Sequence, residues 1–308
     1  MLKPNKAHHF RDDFMTHNIR FAPSPTGYLH EGHLLSALYV WAMAKLKNYH
    51  IHLRIEDHDL SRARNEYIDS IYEDLEWFGF EWDSESKQSD RHEIYETALK
   101  KLNKENLIYG CHCSRKSLSM ENPSSPDGEV IYQKHCLNKA LPITTPNTIR
   151  LKVESTLIQW NDLRLGFFEE NPALQCGDFA LKDRLGQWTY QFAVVIDDME
   201  ENIGMIVRGE DLRNSTARQI LLMSLLGKTT PPLYFHHSLL YDPQTGLKLS
   251  KRQQSQSLRA ERMNAIAPEE ILGRLCFKQH LIKNKCSISL NDAILLFSKQ
   301  IEGYLQQK

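Results

Sequence analysis

Two histidines three residues apart, His30 and His33, bracket a glycine at position 32. On a helix that spacing puts both imidazoles on one face. Gly32 takes a side chain away from the first turn, where backbone N–H groups are unpaired and the helix dipole is positive. Such a turn can receive a phosphate. The segment leading into it, Arg20-Phe-Ala-Pro-Ser-Pro-Thr-Gly27, is stiffened by Pro23 and Pro25 and free to turn at Gly27. This pattern supports two readings: a nucleotide-phosphate site, or a capped helix with two surface histidines. Leu34, Leu38 and Trp41 follow at i, i+4 and i+7, so the helix behind the loop is expected to be amphipathic.

Acids and bases recur at the ends of apolar runs. Ile51, Leu53 and Ile55 alternate with His52, Arg54 and Glu56, which predicts a strand with one buried face. It closes on Glu56-Asp57-His58-Asp59. A strand, loop, helix, strand order predicts a parallel α/β unit, whose ligands lie beyond the carboxyl ends of the strands. Glu56 and the Arg20 loop would then share a crevice. The acids there suit a metal or a substrate ammonium; the plain alternative is a solvated turn with Ser61 capping the next helix. Trp188 to Asp198 is an apolar run ending in paired carboxylates, and its length decides neither strand nor helix. Asp197 and Asp198 would be an acid/base dyad or simply the close of an element. Ile203 to Asp211 reads as a strand ending in an Arg-Gly turn, with Arg208 placed to fork a carboxylate or phosphate, or else to make a surface salt bridge. Lys248 and Lys251 lie on a loop after Asp242-Pro-Gln-Thr-Gly246, and lysine ammonium groups can follow charge that moves onto a phosphate.

Cys111-His-Cys113 and Tyr132-Gln-Lys-His-Cys136 flank a loop rich in Pro, Ser and Gly. Thiolates in two groups across a flexible loop are a zinc-binding pattern. Cys111, Cys113 and Cys136 supply three ligands, and Tyr132, His135 or His112 the fourth. Four protein ligands would make the site structural, because catalysis needs an open position. Cys176, Cys276 and Cys286 have no partner at ligand spacing and read as ordinary thiols.

The 308 residues are 41% hydrophobic and 25% charged with a net charge of −1, the composition of a globular protein without a global basic field. No run of about 18 apolar residues marks a membrane span, and the first residues lack an apolar signal core. A cytoplasmic location follows as an expectation. Residues 1–17 read as a loose polar extension, residues 147–169 as short strands, and helices are expected near 62–79, 90–105, 268–276 and 290–306.

Taken together, the motifs resemble the class I aminoacyl-tRNA synthetases, and within them the glutamyl branch. Arg20 to His33 is similar to that family's "HIGH" region, with Glu31 where an apolar residue is usual. Leu53-Arg-Ile-Glu-Asp57, Val194-Val-Ile-Asp-Asp198 and Val207-Arg-Gly-Glu-Asp211 follow in the family's order, and Lys248-Leu-Ser-Lys-Arg252 is similar to its "KMSKS" loop. The resemblance spans roughly residues 18–255. It implies an α/β fold: a Rossmann-type catalytic domain in two halves, 18–105 and 151–255, with a zinc-binding insertion at 106–150 and a short helical segment at 256–308 in place of an anticodon-binding domain. That architecture is similar to shortened relatives that activate L-glutamate with ATP without tRNA and attach it to the queuosine base in the anticodon of tRNA(Asp). The resemblance assigns glutamate recognition to Arg20, Phe21, Ala22, Pro23, Ser24, Glu56, Tyr190 and Arg208. It assigns ATP and catalysis to His30, Gly32, His33, Lys248 and Lys251. It moves the fourth ligand of one structural Zn²⁺ to Tyr132, brings Mg²⁺ with ATP, and implies a monomer. Arg252, Arg259 and Arg262 are further candidates for phosphate contacts.

Overall fold

The structure, a computed structural model, describes residues 18–125, 128–240 and 257–306. The chain runs β1 (Asn18–Phe21), α1 (Glu31–Lys47), β2 (His50–Ile55), α2 (Asn65–Phe78), β3 (Ser84–Lys87), α3 (His92–Lys104), β4 (Ile108–Cys111) and α4 (Arg115–Glu121). It continues through β5 (Thr148–Leu151), β6 (Ile158–Asp162), β7 (Gly166–Glu170), α5 (Pro172–Gln175), β8 (Ala180–Lys182), α6 (Tyr190–Glu200) and β9 (Ile203–Gly209). Then come α7 (Thr216–Leu225), β10 (Leu233–His237), α8 (Leu258–Met263), α9 (Pro268–Lys278) and α10 (Leu290–Gln306).

The main sheet has the order β3-β2-β1-β9-β10-β6-β7. All neighbours are parallel except β6 and β7, which form an antiparallel hairpin. The strand order reverses between β1 and β9. A crevice opens beyond the carboxyl ends at such a switch point, which places the segments after Phe21 and around Arg208 side by side. A second, antiparallel sheet, β4-β5-β8, stands apart from the first.

The burial pattern corrects two expectations. In β2 every residue from Ile51 to Ile55 is buried, not one face only. A central strand of a parallel sheet has helices on both sides, so alternation in the sequence does not mark a wet face. Likewise α1 is not amphipathic: Leu34, Leu35 and Ala37 to Ala44 are all buried. It lies between the sheet and α10, with Tyr39 Oη donating to Gln300 (2.8 Å) and Ser298 Oγ donating to Ala42 O (3.2 Å). Within the run from Trp188 to Asp198, the residues from Tyr190 onward form the helix α6. Ser61 does not cap α2; its hydroxyl donates to Asp59, and the N-cap is Arg64. Among the described residues no helix is long and apolar enough to cross a membrane.

The paired acids of α6 are spent on buried ion pairs rather than forming an acid/base dyad. Asp198 accepts from Arg20 Nε of β1 (2.9 Å) and from Arg54 Nη2 of β2 (2.7 Å). Asp197 accepts from Arg91, Gln88 and Tyr95 (2.7–2.9 Å). Arg54, fully buried, reaches on to Glu201 at 2.6 Å. Burial alone would raise the Glu201 carboxyl, but Arg54, His52 and Ser86 outweigh it and hold it down to about 2. The native state therefore keeps Glu201 ionised at pH values where the unfolded chain binds a proton. That stabilisation is complete above the ordinary glutamate range and is lost as pH falls toward 2. Glu201→Gln should accordingly cost about 3 kcal/mol at pH 7. The gap from the wild type should close between pH 5 and 2 in denaturant titrations; a gap independent of pH would contradict this.

Candidate active site

The loop after β1 is held in place by backbone hydrogen bonds. Glu56 N–H donates to Pro23 O (3.0 Å), Arg64 N–H to Pro25 O (3.3 Å) and Leu258 N–H to Leu29 O (2.8 Å). The loop ends in a reciprocal cap. His30, the N-cap of α1, accepts the Gly32 N–H on Nδ1 (3.0 Å), and its own N–H donates to His33 Nδ1 (3.1 Å). Each ring is thereby oriented by the backbone, with centroids 4.0 Å apart. A Cβ on Gly32 would lie 2.9 Å from Cε1 and 3.0 Å from Nδ1 of His30. The glycine thus serves the histidine ring as well as the open first turn. Glu31 suits the positive helix end and pairs with Arg274 (2.7 Å) and Lys278 (2.5 Å) of α9. Its unusual charge therefore ties this turn to the chain's last helices.

One cleft of about 520 Å³ opens at the switch point. Its lining includes Arg20 to Ser24, Glu56, Tyr190 and Arg208, together with His30, Gly32 and His33. Arg20 and Arg208 are 4% and 5% exposed, so the cleft floor carries two desolvated guanidinium groups. Arg20 is partly neutralised by Asp198. Burial pushes the Glu56 carboxyl up, against the pull of Arg54 at 3.6 Å, and pushes the Tyr190 phenol up as well. The result is an anion-receiving end, a carboxylate suited to a cation, and a helix N-terminus in one enclosure. Lys248, Lys251 and Arg252 lie outside the described residues. Arg259 reaches the Tyr28 hydroxyl, and Arg262 pairs with Glu73 and Asp74, so both are engaged within the protein.

The sequence reading missed Ser36 and His237, which also line the cleft. His237 Nε2 lies 2.9 Å from Ser36 Oγ, Nδ1 donates to Ser238 O (2.8 Å), and the ring stacks on Tyr39 at 4.7 Å. Burial lowers this imidazole to about 4, so it is neutral at physiological pH. Two signals were available: Ser36 lies one turn beyond Gly32, and His237 ends a strand on the ligand side of the sheet.

A second cluster lies at the end of β4. The sulfurs of Cys111, Cys113 and Cys136 all fall within 4.8 Å of one another. Tyr132 Oη is 3.3 Å from Cys111 Sγ and accepts the Cys136 N–H at 3.0 Å. His135 is turned to Asn122 (3.1 Å), while His112 Nδ1 lies 3.8 Å from Cys136 Sγ. Gly177 packs against Tyr132 with φ of +65°, and a Cβ there would meet Tyr132 O at 2.2 Å. Three soft thiols beside a phenol fit a zinc ion.

The sheet order, the histidine-capped helix and the charged cleft define a class: the chain belongs to the tRNA synthetases of class I (E and Q), whose catalytic-domain family matches residues 17–286. Within that class it is similar to the glutamyl-Q tRNA(Asp) synthetase of Geobacter sulfurreducens, 39% identical over 79% of this chain and 78% of the relative. It is also similar to a glutamate–tRNA ligase 2 of Cereibacter sphaeroides, 38% identical over 84% of this chain and 60% of that protein. The crystal structure of a glutamate–tRNA synthetase from Elizabethkingia anophelis superimposes with a TM-score of 0.75, 27% identity, covering 95% of this chain and 70% of that one.

Gly32→Ala should displace the His30 ring and weaken ATP binding about tenfold, ~1.4 kcal/mol, in calorimetric titration. Unchanged affinity would show that the close packing of Gly32 on His30 does not matter to the nucleotide.

Proposed function

We propose that the chain activates L-glutamate with ATP, without needing RNA, and transfers the glutamyl group to the queuosine base in the anticodon of tRNA(Asp). The observation that carries this reading is the similarity to the glutamyl-Q tRNA(Asp) synthetase across 78% of that protein's length. The charge pattern of the cleft supports it. Glutamate brings two carboxylates and one ammonium; the cleft offers Arg20 and Arg208 for the former and Glu56 for the latter. The ammonium would offset the burial that raises the Glu56 carboxyl. Ser24 and Tyr190 would add neutral hydrogen bonds, and Phe21, Ala22 and Pro23 line the same cleft. Glutamine would leave a buried guanidinium imperfectly paired and be rejected.

In this reading the α-carboxylate of glutamate attacks the α-phosphorus of ATP and pyrophosphate leaves. An acceptor group on the modified base then takes the acyl group and AMP departs. The protein's share is positioning and charge stabilisation. His30, Gly32 and His33 hold the nucleotide phosphates at the start of α1. Lys251, supported by Lys248, steadies the leaving phosphates. Mg²⁺ accompanies ATP, since it prefers phosphate oxygens and water. Cys111, Cys113, Cys136 and Tyr132 would hold a zinc ion whose contribution is to order the insertion at 106–150.

Two experiments test the reading. Labelled glutamate should be retained on tRNA(Asp) that carries queuosine and not on the same tRNA without it. Label on the unmodified tRNA would instead favour a 3′ end, as the likeness to the glutamate–tRNA ligase would have it. Metal analysis of the purified chain should find about one zinc per chain, lost on Cys111→Ser. Absence of zinc after growth in zinc-replete medium would remove the metal from the account.

A further inference from the structure

Arg208 reaches the cleft from the end of β9, and three buried acceptors from β10 and α7 hold its guanidinium. Nε donates to His236 Nε2 (3.0 Å), Nη1 to Gln219 Oε1 (2.8 Å) and Nη2 to Thr216 Oγ1 (2.8 Å). His236, Thr216 and Gln219 are at most 2% exposed. Each acceptor is in turn oriented. The Gln219 amide donates to Gln191 (2.9 Å), and the Gln191 amide donates to Ser215 (2.9 Å). The His236 ring packs edge-on to Trp160 (5.7 Å), and its Nδ1 lies 2.7 Å from Asp162 Oδ2 at the end of β6. The same Asp162 oxygen accepts the His236 N–H (2.9 Å), while Oδ1 accepts the N–H groups of Arg164 and Leu165 (2.8 and 2.7 Å).

A carboxylate can only accept, so Nδ1 of His236 carries the proton. A neutral ring then presents a lone pair at Nε2, the atom that faces an obligate donor, Arg208 Nε–H. The consequence is electrostatic. Arg20 is held by a carboxylate, Asp198, directly against its guanidinium. Arg208 is held by three neutral acceptors, and Asp162 stands behind the His236 ring. Its position is fixed by groups that carry no charge against its own. Among the described residues three of its five N–H groups are used, and Arg208 lines the cleft with two remaining.

We infer that Asp162 and His236 are positioning residues for Arg208, and that this neutral cradle makes Arg208 the guanidinium that selects a carboxylate over its amide. The inference rests on the reading that the cleft holds glutamate. Asp162→Asn keeps the shape but offers Nδ2–H to the ring. The tautomer then reverses, and Nε2–H confronts Arg208 Nε–H. His236→Gln can still present an oxygen to Arg208, whereas His236→Leu cannot.

The test has three arms. In the wild type, ¹⁵N spectra of histidine-labelled protein, with the His236 signals assigned by their loss in His236→Gln, should show that ring neutral and Nδ1-protonated, and changed to the Nε2-protonated form in Asp162→Asn. An Nε2-protonated or charged His236 in the wild type overturns the inference whether or not Asp162→Asn folds. In glutamate-dependent pyrophosphate exchange, Asp162→Asn and His236→Leu should raise the KM for glutamate about 10- to 100-fold. The KM for ATP should stay within about twofold, His236→Gln should recover most of the loss, and discrimination against glutamine should fall in parallel. Arg208→Ala separates the two layers. If it leaves the glutamate KM unchanged, the reading of the cleft fails. If it raises that KM while folded Asp162→Asn and His236→Leu do not, the cleft reading stands and the positioning role fails.

Discussion

The Asp198 carboxylate, 1% exposed, is the junction on which the site depends. It accepts Arg20 from the first strand and Arg54 from the second, and it belongs to the helix whose first residue is Tyr190. Burial alone would raise its pKa, but the two guanidinium groups more than offset this and hold it below the ordinary carboxylate range. Removing one member would strand a buried charge, so strands and helix are coupled as a unit. Of the cleft's lining, Arg20 is set by this group directly, and Tyr190 opens the helix that carries it. The same network extends through Glu201 and Asp197 to Arg91 and Tyr95, which carries the constraint out to α3.

Against that rigid side, the turn at the start of α1 is held by backbone chemistry. His30 and His33 exchange hydrogen bonds with the start of α1, and Glu31 anchors the same turn to α9 through Arg274 and Lys278. The segment after residue 256 therefore acts on the site through α1, by ion pairs at its N-terminus and by packing of α10 along its length. In the proposed function, a cleft lined by groups fixed through buried charge and through helix capping gives two reactants a defined separation, and positioning is the main demand of an adenylation.

Much of this was legible in the sequence, and the exceptions have physical causes. The loop from Arg20 to His33 declared itself through its prolines, glycines and histidine spacing. Glu56 and Arg208 declared themselves by ending predicted strands, and the cysteine triplet by its spacing. The His30–His33 pair caps the helix, as one of its two local readings expected, and the same rings line the cleft. What could not be read was pairing across the sheet. Asp197 and Asp198 resembled a reactive dyad because nothing local reveals that Arg20, Arg54 and Arg91 converge on them from 100 or more residues away. The same holds for His236, whose partners Asp162 and Arg208 lie on different strands. Helix α1 and strand β2 were expected to keep a wet face because periodicity reports polarity, whereas burial on both sides follows from the layer architecture.

In the proposed function, one cleft places the amino acid between Arg20, Arg208 and Glu56 and the nucleotide at the start of α1. A crystal structure with a non-hydrolysable glutamyl-adenylate analogue should show the side-chain carboxylate within hydrogen-bonding distance of Arg208, the ammonium at Glu56, and the phosphate mimic at the His30–His33 turn. An analogue bound outside this cleft, or reversed within it, would overturn that arrangement.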